Sequence, residues 1–165
     1  FLQGFVDGET VRMYDPGLRL PGGNYENLFK RIFDVDIIKM LIEFSLTGKI
    51  TNSFGTLDDD SYLLKGKFVA NLFPMMKPGI ISKIEGFDNF KEQFFIVSAA
   101  LRHNVGDIVE ETHTVSQRIG EFNILTESLS DMKKAIEFIY KNLKVFDKNN
   151  ELLNCSYLNL SEVLK

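Results

Sequence analysis

Asp7-Gly8 stands between two apolar runs, Phe1 to Val6 and the set Val11, Met13 and Tyr14, and that arrangement constrains how the chain can begin to fold. An Asp-Gly pair tolerates the positive φ angles of a tight two-residue turn, so residues 1–15 are expected to form a β-hairpin. The second arm runs into Asp15-Pro16-Gly17. Proline cannot donate to a strand ladder and glycine breaks the apolar pattern, so the chain should leave the sheet there. Residues 16–24 (Pro-Gly-Leu-Arg-Leu-Pro-Gly-Gly-Asn) then read as a loop with one arginine inside it. The opening residues read as a strand already under way, without an initiating methionine, so Phe1 is expected to be an internal boundary of a longer chain.

Past this loop the apolar period changes twice. Ile37, Ile38, Leu41, Phe44 and Leu46 recur at helical steps, with Asp34 or Asp36 able to cap the start and Gly48 closing the end. Residues 51–60 are polar and read as a loop. Within it Asp58-Asp59-Asp60 reads as solvated, because adjacent carboxylates repel and cannot all face one ion. Tyr62 to Met76, Gly79 to Ile84, Phe94 to Leu101, Asp107 to Val109 and Ser116 to Leu125 then read as strands separated by turn residues. A second helix is expected from Ser128 to Leu143, with Ser128 and Asp131 as a capping box and Leu129, Met132, Ile136, Ile139 and Leu143 as its apolar stripe. Val145-Phe146 ends a further strand, and Leu160 to Lys165 reads as a short last helix. The class is α+β, divided near residue 50 into a first part, 1–50, and a small antiparallel sandwich with helical cover, 51–165. Phe68, Phe73, Phe94 and Phe95 are expected in the core.

The chain has 165 residues, a formal net charge of −4 and 44% hydrophobic residues, enough for one sizeable core or two small ones. Nucleic acid and anionic membranes both demand clustered Lys and Arg, and no such run exists. No apolar run approaches the ~20 residues of a membrane span. Cys155 is the only cysteine, which excludes an internal disulfide and fits a cytoplasmic protein. In that compartment the sequons at Asn154 and Asn159 carry no meaning.

Gln3 and Asp15 lie on the two arms of the hairpin. If their side chains share a face, two oxygen donors converge, which suits a hard cation such as Mg²⁺ that takes the rest of its shell from water and phosphate. Gly17 and Arg19 follow as the strand opens, and a guanidinium there could hold a phosphate through its paired donors. These are parts of a phosphoryl-transfer site. The same residues also read as a common Asp-Pro-Gly turn, an ordinary strand glutamine and an exposed arginine. His103 and His113 have no third ligand nearby and default to turn or strand-edge positions, and His113 with Ser116 lacks an orienting acid. Lys39-Met40 sits inside the helical apolar pattern, which argues against a biotin lysine. Arg118 either braces the sandwich against a neighbouring lobe or is a solvated strand residue.

The run Tyr14-Asp15-Pro16-Gly17-Leu18-Arg19-Leu20-Pro21-Gly22-Gly23 resembles the ATP-grasp segment written acidic-x-Asn-x-Arg, and in one branch Glu-Met-Gly-x-Arg-Leu-x-Gly-Gly. Lys77-Pro78-Gly79-Ile80-Ile81, Val105-Gly106-Asp107, Gln117-Arg118-Ile119-Gly120 and the helix from Ser128 resemble the C-terminal sandwich of biotin carboxylase and purine-synthesis ligases, often called a rudimentary single-hybrid motif. By this resemblance Asp15 matches the acidic residue that holds the Mg²⁺ of MgATP, and Gln3 the earlier Glu, or the Gln of carbamoyl-phosphate synthase large chains. Arg19 matches the arginine facing the transferred phosphate, and Gly22, Gly23 and Asn24 would shape the acceptor side. Asp15 is shorter than the usual Glu, and Gly17 replaces a frequent metal-binding Asn. The resemblance implies ATP and Mg²⁺ as cofactors, a carboxylate or bicarbonate substrate activated as an acyl phosphate, an amine or other nucleophile as acceptor, and room for a homodimer. The lysines and glycine-rich flap that close over the nucleotide have no counterpart here, so the chain is expected to be the C-terminal part of a ligase and inactive alone. The rival expectation is a non-catalytic module that binds a protein partner or a regulatory ligand.

Overall fold

β1 (Leu2–Asp7) and β2 (Thr10–Pro16) form an antiparallel hairpin that turns at residues 8 and 9, one position later than Asp7-Gly8 suggests. Gly8 takes the positive φ of 61° that the turn requires, while Asp7 is held in the ladder opposite Thr10. Pro16 stays in the strand opposite Leu2, as an edge strand permits. The computed structural model describes residues 1–17, 19–50, 64 and 66–155. The expected loop at 51–60, its aspartate run and the expected helix at 160–165 lie outside the described residues.

A helix not anticipated from the sequence follows, α1 (Tyr25–Phe33), burying Leu28, Ile32 and Phe33. It opens on Asn24 in the left-handed region (φ 51°) with no side-chain cap, and Asp34 (φ 57°) closes it by donating its N–H to Lys30 O at 3.1 Å. Asp36 is the cap of α2 (Ile37–Thr47): its Oδ1 accepts from Lys39 N–H at 3.0 Å, and its Oδ2 meets Lys30 Nζ at 2.8 Å. Gly48 ends α2 in the left-handed region, as expected.

After residue 66 come β3 (Phe68–Leu72), β4 (Gly79–Ile80), β5 (Lys83–Glu85), β6 (Ile96–Leu101), β7 (Ile108–Val109), β8 (Gly120–Thr126), α3 (Leu129–Asn142) and β9 (Lys144–Phe146). All pairings are antiparallel: a sheet in the order β3-β8-β6 and two ribbons, β4-β7 and β5-β9. The strands are shorter than the apolar runs suggest, and Val115–Gln117 is a helical turn capped by Thr114 instead of the start of a strand.

β8 is buried on both faces, and the alternation along it assigns the layers. Phe122 and Ile124 join the core built with Met132, Ile136 and Ile139 of α3. Leu125, on the opposite face, packs with Val69 against Ile32, Phe33 and Val35. The α+β fold thus sets α3 on one face of the three-stranded sheet and α1 on the other. Phe90 and Phe122 are fully buried, with ring centroids 5.2 Å apart in an edge-to-face contact. Two of the phenylalanines expected in the core are not there: Phe68 is 39% exposed and Phe94 is 87% exposed. Phe68 opens an edge strand, and Phe94 lies in the turn before β6, where its ring meets that of Phe95 edge-on.

At the start of α3, Ser128 Oγ accepts from Asp131 N–H at 3.1 Å and donates to Asp131 Oδ2 at 2.8 Å. The Ser128 bond, then Lys134, holds the Asp131 carboxyl below its ordinary 3.8. A depressed folded-state pKa gives stability that is present above the ordinary value and lost as pH falls through the depressed one. Asp131→Asn should therefore unfold more easily than the parent near neutrality, and the gap should close below pH 3.8 as the parent carboxylate takes up its proton. Urea melts of both proteins across an acid series measure that gap.

Candidate functional site

The hairpin places Gln3 directly opposite Asp15, so the two side chains emerge on one face of the ribbon. The register shifts between Gln3 and Gly4, a bulge that increases local twist just beside this pair. Both residues are solvent-exposed. A glutamine amide oxygen and a carboxylate form an all-oxygen donor pair, which fits a hard divalent cation that keeps most of its shell as water and phosphate. Among the described residues no three His, Cys, Asp or Glu side chains gather where they could enclose a metal on their own.

Two residues beyond Asp15, Gly17 N–H donates to Phe1 O at 2.9 Å and extends the ladder. The Phe1 ring fills the space a side chain at Gly17 would need: a Cβ there would lie 2.3 Å from it. Arg19 leans over the same ring, its guanidinium carbon 4.9 Å from the centroid, and its Nη1 donates to Leu20 O at 3.0 Å. Gly17 and Arg19 thus gather around Phe1 at the open end of the hairpin, two positions along the ladder from the Gln3–Asp15 pair.

Gly22, Gly23 and Asn24 are held differently. Gly22 is exposed, whereas Gly23 is buried at φ 109°, and Gly23 O accepts from Asn71 Nδ2 and Asn123 Nδ2, each at 3.0 Å. Asn24 O accepts from the same Asn123 amide at 3.1 Å. Asn71 and Asn123 were not among the residues the sequence singled out. The available signal was an asparagine inside each of two apolar runs, Val69-Ala70-Asn71-Leu72 and Phe122-Asn123-Ile124.

The remaining candidates resolve into structural roles. His103 Nε2 lies 2.8 Å from Ser116 O, and His113 sits exposed in the left-handed region. Ser116 Oγ bonds with Thr112 and Thr114 rather than with a histidine. Arg118 stacks on Phe73, 3.9 Å from the ring centroid. No described helix is long and apolar enough to cross a membrane.

No family model and no curated protein matches the sequence. The fold does match solved structures. Phosphoribosylglycinamide synthetase from Anaerococcus prevotii aligns over 89% of this chain with a TM-score of 0.62 and 14% identity. L-amino acid ligase from Bacillus licheniformis aligns over 89% with a TM-score of 0.66 and 14% identity. The chain spans 36% and 35% of those two chains. At this identity the likeness is one of fold: this chain folds like the matching part of each of those two enzymes.

Proposed function

We propose that the chain is the C-terminal portion of an ATP-dependent ligase, with residues 1–50 belonging to the catalytic lobe and residues 51–165 forming the small sandwich beside it. The observation that carries the reading is Gln3 set opposite Asp15 at the open end of a hairpin, with Arg19 in the next loop, in a chain of this fold. In the proposed reaction a carboxylate or bicarbonate oxygen attacks the γ-phosphorus of ATP and ADP leaves. An amine or other nucleophile then attacks the acyl carbon, phosphate departs, and the nucleophile loses its proton. Bound Mg²⁺ would neutralise the phosphate charges. Gln3 Oε1 and the Asp15 carboxylate would orient it, and Arg19 would hold the oxygens of the transferred phosphoryl group through paired donors.

The surface supports incompleteness. Both hairpin strands are exposed along their whole length, and α2 buries none of its residues although Ile38, Leu41, Ile42 and Phe44 are at least 42% exposed. Apolar faces of this size want cover. They suit the remainder of a catalytic lobe. They also favour the second reading, a non-catalytic module that docks on a protein partner.

Isothermal titration separates the two. The 165-residue chain should give little or no heat with MgATP, because it supplies one wall of the nucleotide site, and joining it to a lobe that carries the lysines and glycine-rich flap should restore Mg²⁺-dependent binding. Tight MgATP binding by the chain alone contradicts the half-site, and no binding by the joined protein leaves the docking module as the better reading.

A further inference from the structure

Asn71 and Asn123 are cross-strand partners on β3 and β8, and their amides converge on the loop that leads into α1. Asn123 is fully buried; its single Nδ2 serves Gly23 O, Asn24 O and, at 2.9 Å, Ser98 Oγ. The Oδ1 atoms of both asparagines are buried without a hydrogen-bond partner. A buried unpaired acceptor costs stability, so a fold tuned for stability alone would place apolar side chains here. The amides are instead spent on the loop. Gly23 is shaped to receive them: its φ is 109°, and a Cβ would stand 2.5 Å from Asn71 Nδ2.

The bonds fix orientation as well as position. In a planar trans peptide the C=O and the following N–H point opposite ways. Drawing Gly23 O and Asn24 O toward the sheet therefore turns the N–H groups of Asn24 and Tyr25 away from it, in a loop whose Gly22 is exposed. We infer that Asn71 and Asn123 are positioning residues that lock two successive peptide planes of the Gly22–Asn24 loop, so that its N–H groups face the open side and receive an anionic group, a carboxylate or phosphate, of the substrate. The anion-receiving role rests on the ligase reading above; the clamp itself does not.

Amide hydrogen exchange on the 165-residue chain tests the clamp with Asn71→Asp and Asn123→Asp, which keep side-chain size but replace the donor by a charge that repels the loop carbonyls. Exchange in the first bonded turn of α1, residues 27–29, should rise roughly tenfold or more while β8 and α3 keep their protection, and Asn71→Gln, which retains an amide donor, should recover much of the loss. Asn71 is only half-buried, so its variants remain informative if Asn123→Asp does not fold. Unchanged loop exchange in Asn71→Asp, or an equal rise throughout the sheet, overturns the inference. In the completed ligase, Asn71→Asp should raise KM for the anionic substrate with KM for ATP unchanged. Loop exchange that rises in a protein without ATP-dependent turnover would sink the ligase reading and leave the clamp standing.

Discussion

Arg19→Lys, made in the chain joined to a complete catalytic lobe, is expected to lower kcat by roughly two to three powers of ten while leaving ATP affinity nearly unchanged. The reason is where the charge develops. A donor that meets charge appearing only during phosphoryl transfer contributes to the transition state and not to the ground-state complex, so its loss is read in kcat. Lysine keeps the charge but loses the planar fork. The local structure sharpens the expectation, since the Arg19 guanidinium lies against the Phe1 ring and donates to Leu20 O. A lysine there keeps neither the stacking plane nor a pair of donors fixed in one plane, and Arg19 has no carboxylate partner among the described residues whose loss could confuse the result. Asp15→Asn should behave differently, raising the Mg²⁺ concentration needed for half-maximal rate because a charged oxygen ligand becomes neutral. Steady-state kinetics of both variants across Mg²⁺ concentrations separates them. Wild-type turnover in Arg19→Lys, or an unaltered Mg²⁺ dependence in Asp15→Asn, removes the roles proposed for those residues.

What was legible in the sequence was what neighbouring residues dictate. The opening hairpin, the Asp36 cap and Gly48 stop of α2, and the Ser128 start of α3 each rest on contacts within a few positions. α1 escaped because Asn24 caps nothing with its side chain and two glycines precede it, so no start signal was present to read. The strand lengths were overestimated because an apolar run records burial and not pairing; Met75 and Met76 make only isolated bridges, to Arg118 and Asn154. The pairing of Gln3 with Asp15 did not follow from the turn position: the register set at the turn would put Gln3 opposite Tyr14, and the bulge beside Gly4 moves it to Asp15. The asparagines that fix Gly23 could not follow from any local rule, lying 48 and 100 positions away from it. Their polar side chains inside buried strands mark an unmet hydrogen-bonding demand, but only the tertiary fold shows which loop meets it.

The largest loss of stability is expected at Phe122. Its ring is fully buried at the centre of β8, between Leu72 of β3 and Ala99 of β6 in register, and it packs edge-on against Phe90 at 5.2 Å and Phe87 at 6.3 Å. Truncation removes the transfer free energy of the ring and leaves a hole between sheet and α3 that rigid neighbours cannot fill, a combination that costs about 3–5 kcal/mol for a phenylalanine. Against a typical total of about 5–15 kcal/mol, Phe122→Ala should be marginal or unfolded at room temperature. Phe94→Ala is the matched control, because that ring is 87% exposed and its removal should stay within about 0.5 kcal/mol. Urea denaturation of the two variants reads the difference directly. The next residue, Asn123, points to the opposite face of the same strand, toward the Gly23 loop. A folded Phe122→Ala protein should therefore lose global stability without a selective rise in exchange at residues 27–29, the reverse of what Asn71→Asp should show. A cost below about 1 kcal/mol at Phe122 would mean that the sheet and α3 do not share the core described here.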